Sequence, residues 1–160
     1  MPSLIRLLEA EDIPAVVELS LRAWTPSFES QKEVVGPEIY DRLHPDWRAE
    51  QQRDVEDACR STDKTVWVAD VDGAAVGFVA ALLLPERNEG EIWMLAVDPD
   101  HQNRGIGSAL TVHAEAWIKE AGMAIAVVET GGDRGHAAAR RTYEKAGYTP
   151  LPNVRYFKAL

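Results

Sequence analysis

The spacing of apolar and polar positions along the 160-residue chain changes several times, and each change marks an element. Ser3 to Leu8 predicts a short opening strand. Ile13, Val16, Val17, Leu21 and Trp24 then recur at three- and four-residue steps, the spacing of one helical face. Asp12 suits the cap of this helix, Pro14 is tolerated in its first turn, and Thr25-Pro26 predicts its end. From 25 to 47, Pro26, Gly36, Pro37 and Pro45 break the chain into short helices or loops, and Asp46 to Arg60 predicts a further helix.

Period two takes over in the middle of the chain. Lys64 to Asp70 is β-branched and aromatic, Asp72-Gly73 is a hairpin signal, and Ala75 to Leu84 reads as a buried strand. A polar loop, Pro85 to Gly90, leads to a third strand, Glu91 to Val97, which completes an antiparallel meander. After a glycine-containing loop, Ile106, Leu110, Ala114, Trp117 and Ile118 predict a helix from about Gly105 to Glu120, with Gly122 at its C-terminal end. Ala124 to Val128 reads as a buried strand, residues 136–146 as a helix ended by Gly147, and Tyr148 to Leu160 as one or two closing strands. Strand–helix–strand after a meander implies a single α/β domain over 1–160 with a mixed sheet.

Composition adds exclusions. Hydrophobic residues make up 46% and charged residues 27%, which is globular. No apolar run approaches the roughly 18 residues of a membrane span. The net charge of −9 argues against a general nucleic-acid binder. That charge is uneven: the first hundred residues hold 21 acids against 9 bases, and the last sixty hold 5 against 8. Such a split fits two ligands of opposite sign, or accidental surface composition. Cys59 is the single cysteine, which excludes a disulfide framework, and it shares a helical face with Val55 and Ala58 as a small core residue. The first twenty residues carry four acids and no basic start before an apolar stretch, so a cytoplasmic protein is expected.

The segment from Asp98 to Ser108 (DPDHQNRGIGS) leaves a strand and opens a helix. Free N–H groups at a helix start attract phosphate, and Gly105 and Gly107 let a ligand approach the main chain. The loop lacks the Lys-Ser/Thr of a Walker A motif, and Leu110 stands where a dinucleotide fingerprint needs its third glycine.

Gln102-Asn103-Arg104-Gly105-Ile106-Gly107 resembles the pyrophosphate loop of the GCN5-related N-acetyltransferase (GNAT) family, Gln/Arg-x-x-Gly-x-Gly/Ala. Leu95-Ala96-Val97-Asp98-Pro99 is similar to the family's cofactor strand, and Tyr143-Glu144-Lys145-Ala146-Gly147-Tyr148 to its second signature. The element order agrees from Ile5 onward. The resemblance implies a single-domain GNAT fold with six to seven strands. It also implies acetyl-coenzyme A as co-substrate, with its pyrophosphate held by the backbone from Gln102 or Asn103 through Ser108 and by the Arg104 side chain. Leu95 to Val97 would pair with the pantetheine arm and offer an oxyanion donor. Tyr143 sits where the family carries its acid, beside the coenzyme A sulfur, and Glu91 where several members place a base, acting directly or through water. The sequence departs from the family at His136, where an asparagine often holds the coenzyme A arm; the glycines around His136 suggest a flexible loop. Arg140 and Arg141 read as solvated helix charges, with an approach to the phosphates as the alternative.

The acceptor implied is a primary amine, of a small molecule or alternatively of a peptide or protein, with a non-catalytic acyl-coenzyme A binding module as a third reading. Trp24 and Phe28, with Tyr40 and Trp47, are candidates for the acceptor wall, and Glu29 or Glu33 for attracting its cation. No residue pattern marks a metal site, and no membrane or nucleic-acid partner is implied; a homodimer is left open.

Overall fold

The computed structural model describes residues 3–160; Met1 and Pro2, counted in the expected single domain, lie outside the described residues. Five strands run in spatial order β1 (Leu4–Leu7), β2 (Lys64–Val71), β3 (Ala74–Leu84), β4 (Glu89–Val97), β5 (Ile125–Val128). The first four pair antiparallel and β5 joins β4 in parallel, so the sheet is mixed. Asp72 and Gly73 turn the β2–β3 hairpin with φ of 54° and 86°, as a primed turn requires.

Period two in the strands divides the core. Val66, Val68, Phe78 and Ala80 face one side, under Val16, Val17 and Leu19 of α1 (Ile13–Val35) and Val55 of α3 (Trp47–Arg60). Trp67, Ala69, Val79 and Ala81 face the other, under Ile106, Leu110 and Ala114 of α4 (Ile106–Glu120). Cys59 packs against the first cluster, and burial lifts its thiol pKa to about 11, as befits a small core residue.

Three expectations are corrected. Helix α1 does not stop at Thr25-Pro26 but continues to Val35. Proline removes one backbone donor from a helix interior; here Trp24 packs edge-on to Phe78 and Phe28 stacks on Trp47, so both sides of Pro26 are anchored. Asp12 makes no side-chain cap on α1: its carboxylate is taken by Arg6, at 2.8 Å, and by the Glu9 N–H. The sheet has five strands, not six to seven, because residues 149–160 join no ladder. Pro150 and Pro152 fall two apart, so both missing N–H groups would face the same neighbouring strand.

The segment between α1 and α3 holds one short helix, α2 (Pro37–Leu43), and α5 (Ala137–Lys145) ends before Gly147, whose φ is 95°. Among the described residues no helix is long and apolar enough to cross a membrane.

Candidate active site

Two features of β4 build the site. Ala80 pairs with Met94 and Ala81 with Ile92, so Trp93 is an extra residue, a β-bulge that re-aims the strand. Pairing with β5 covers only Glu89 to Ile92. From Trp93 to Val97 the β5 side of β4 has no strand partner, and the two strands part there.

A cavity of about 700 Å3 opens at that divergence. Its sheet side presents Glu91, Leu95 and Glu129, and its α5 side His136 and Tyr143. Its helical side presents Trp24, Ser27, Phe28 and Gln31 of α1, at steps of three and four, together with Asp54 and Asp57 of α3.

Tyr143 is 9% exposed, and its hydroxyl has no hydrogen-bond partner among the described residues. Burial raises the phenol pKa to about 12, so it keeps its proton. Glu91 also titrates above the ordinary carboxylate range, first through burial and then through the nearby charge of Glu129. In the parallel register Glu91 is opposite Val127, which places Glu129 two residues further along the same face. Gly90, the residue before Glu91, is buried beneath α4: a Cβ there would strike the Ile118 side chain.

His136 is held by a chain of contacts. Its Nδ1 donates to Asp133 Oδ1 at 2.6 Å, Ser30 Oγ donates to Asp133 Oδ2 at 2.5 Å, and the Gly135 N–H donates to Ser30 Oγ at 2.9 Å. Burial works against the Asp133 carboxylate, but the Ser30 hydroxyl and His136 outweigh it and hold its pKa below the usual range. Arg140 donates to the carbonyls of Gly131 and Asp133 at 2.6 and 2.7 Å. A Cβ at Gly131 would strike Asp133 and His136, and one at Gly135 would strike Ser30. The loop expected to be flexible is therefore pinned to α1, and Arg140 is its brace rather than a solvated charge. Arg141 stays exposed.

The 98–108 loop lies beside the cavity, not in its wall. Arg22 of α1 ties it down through Asp98, at 2.8 Å, and Asp100, at 3.2 Å, and Gln102 Nε2 donates to the Val97 carbonyl at 3.1 Å. Asn103 and Gly105 take left-handed φ of 62° and 82° and turn the chain into α4. The first N–H groups of that helix, at Ile106, Gly107 and Ser108, have no intrahelical acceptor. A Cβ at Gly105 would meet nothing within 4 Å, and one at Gly107 only Val97 at 3.7 Å, so the helix start is open to a ligand. Arg104 is exposed and makes no ion pair among the described residues. The Ile106 and Ala96 side chains point into the core, which leaves only their backbone for a ligand. This open backbone cradle, next to an unpaired strand edge, fits a pyrophosphate and an extended arm.

Of the acceptor-side candidates, Trp24 and Phe28 line the main cavity and the others lie elsewhere. Tyr40 and Trp47 line a separate cavity of about 370 Å3, reached across Phe28, and Glu29 lines it too. Glu33 is exposed and paired with Arg134 at 2.6 Å. Glu29 and Glu33 fall outside the α1 face made by residues 24, 27, 28 and 31. Sequence reasoning missed Asp54, Asp57 and Glu129. The i, i+3 spacing of the first pair put them on one face, but nothing local said which element that face meets. Among the described residues no group of three or more His, Cys, Asp or Glu side chains could hold a metal ion.

The model of the acetyltransferase (GNAT) family matches residues 21–148, and the chain belongs to that family. A mycothiol acetyltransferase of Beutenbergia cavernae is 34% identical over 87 residues, which cover 54% of this chain and 29% of that protein. An L-2,4-diaminobutyric acid acetyltransferase of Nocardia farcinica is 47% identical over 53 residues, 32% of this chain and 28% of that protein. The matched segments thus cover under a third of the length of these relatives. The PaiA N-acetyltransferase of Thermoplasma acidophilum, solved in complex with coenzyme A, shares the fold at a TM-score of 0.66, with 19% identity, 91% of this chain and 89% of that chain covered.

Proposed function

We propose that this chain is an N-acetyltransferase that moves an acetyl group from acetyl-coenzyme A to a primary amine of a small molecule, with the thioester and the amine meeting in the one cavity. The observation that carries the reading is the meeting of Tyr143, Glu91 and the Trp24–Phe28 wall at the point where β4 and β5 part. The names of the relatives, among them a diaminobutyric acid acetyltransferase, support a small amine acceptor.

When bound, acetyl-coenzyme A supplies an activated thioester. The N–H groups of Ile106 to Ser108 and the Arg104 guanidinium would hold its pyrophosphate, and the free side of Leu95, Ala96 and Val97 its arm, with His136 flanking. Val97 or a neighbour on that edge offers an N–H to developing oxyanion charge. Glu91, with its raised pKa, is suited to take the proton that an alkylammonium must lose before it can attack. Tyr143, protonated and unpartnered, is suited to give a proton to a leaving sulfur.

The test is acetyl-coenzyme A-dependent thiol release across amines, polyamines, amino acids, aminoglycosides and lysine peptides, with coenzyme A affinity measured by calorimetry. Release with at least one small amine is the expected result. Tight coenzyme A binding with no release to any acceptor would leave a binding module and overturn the reading.

A further inference from the structure

The cavity wall is far more acidic than its catalytic task requires. One carboxylate near the reacting amine would do, yet four line the space: Glu91 and Glu129 on the sheet side, Asp54 and Asp57 on the α3 side. Among the described residues none of the four forms an ion pair. Several acids elsewhere are matched: Arg6 takes Asp12 and Asp70, Arg22 takes Asp98 and Asp100, and Arg134 takes Glu33. The wall's only lysine, Lys64, is 3.2 Å from Asp63 outside the cavity, and its Nζ stands 5.2 Å from the centre of the Trp93 ring.

The four carboxylates form two poles. Asp54 and Asp57 share a face of α3, three residues apart. Glu91 of β4 and Glu129, just past the end of β5, line the cavity together with Tyr143. Trp24 and Phe28 line the same cavity, apolar walls that suit a methylene chain. The phenol of Tyr143, more than nine-tenths buried and without a partner among the described residues, lines the same space and marks it as built for a ligand.

The geometry points to an acceptor with at least two cationic amines and no carboxylate, one amine seated at Glu91 and Glu129 for reaction and a second held by Asp54 and Asp57. This rests on the acetyltransferase reading and narrows it to a substrate class. An acceptor with its own carboxylate would place an anion among four others, and like charges at such range repel. A monoamine would leave one pole unmatched.

Three probes of similar length separate the alternatives: 1,4-diaminobutane, n-butylamine and 2,4-diaminobutyrate. The diamine should exceed both others in kcat/KM by about tenfold, beyond the factor of two that two equivalent amines give by statistics. The tenfold corresponds to two exposed charge contacts of up to about 0.7 kcal/mol each. The lead should shrink as salt is raised from low ionic strength. In the D54N/D57N variant the ratio should fall to about threefold or less, with the thermal transition checked first. Calorimetric binding of 1,4-diaminobutane to the enzyme without acyl donor gives a readout that needs no turnover.

Equal use of diamine and monoamine, equal use of diamine and diaminobutyrate, or an unchanged ratio in the folded double variant would overturn this inference while leaving the transferase standing. Diamine binding that depends on Asp54 and Asp57 without acetylation of any amine would support the two-pole site and sink the transferase reading.

Discussion

The two walls of the cavity are made in different ways. The sheet wall comes from β4, the end of β5 and α5, and two of its ionisable groups, Glu91 and Tyr143, are partly or largely buried. Glu91 and Tyr143 titrate above their ordinary ranges there, chiefly through burial. The helical wall comes from α1 and α3, and its Asp54 and Asp57 are exposed. Burial is what moves a proton affinity, so groups proposed to handle protons belong on the first wall. Exposed carboxylates keep their charge at little desolvation cost, so groups that recognise a cation belong on the second.

The contrast breaks most severely if the sheet wall is not the rigid one. Gly90→Ala drives a methyl into Ile118 of α4, directly beside Glu91. Overpacking of this kind costs about 1–3 kcal/mol, and a denaturant titration should show a loss near the upper half of that range. An unchanged midpoint would mean that α4 yields freely there and that Glu91 is not held by packing. Tyr143→Phe comes next, with kcat lowered at least tenfold, about 1.4 kcal/mol of barrier, and coenzyme A affinity nearly intact. Turnover equal to the parent's would remove the phenol from proton transfer.

Glu91→Gln sharpens the comparison through pH. A base with a raised pKa is progressively protonated as pH falls through that pKa, so the parent's rate should decline on the acidic side. The glutamine variant should lose that limb and be slower at neutral pH. Persistence of the limb would assign it to the amine itself or to another group. The same experiment on D54N/D57N should leave the limb in place, because Glu91 is untouched.

The walls also differ in how much of each can be read from the chain. The sheet wall is local. The Asp72-Gly73 turn, the β-branched run before it and the Gly105–Gly107 helix start each need only a few neighbouring residues, and all were recovered at their places. The Tyr143 motif likewise lies within one helix and its end. The helical wall depends on α1 surviving Pro26 and on α3 folding back across it, contacts that join residues some thirty apart. A proline penalty is visible in a sequence; the Trp24–Phe78 and Phe28–Trp47 contacts around it are not. Sequence alone therefore groups the aromatic residues on the acceptor side, whereas folding sends Tyr40 and Trp47 to the neighbouring cavity. The closing strands failed for the opposite reason: the tail has strand-like residues at Arg155-Tyr156-Phe157, but a strand exists only with a partner.

The loop from Gly131 to His136 lies where the two walls join, and it gives the mildest test. Asp133 has a depressed pKa because Ser30 and His136 favour its charged form over the cost of burial. A carboxylate depressed in the folded state stabilises the fold above its unfolded pKa, and that contribution is lost as pH falls through the folded value. Asp133→Asn removes the charge but keeps an acceptor oxygen, so the loss at neutral pH should be at most about 1 kcal/mol, the scale of one hydrogen bond. The acid side of the stability profile should flatten by the same amount, because the variant no longer has that proton to bind. His136 should then be less firmly oriented, raising the KM for acetyl-coenzyme A by about two- to fivefold with little change in the diamine-to-monoamine ratio, which the other wall controls. A ratio that moved with Asp133 would show the two walls acting as one, joined through Ser30 of α1.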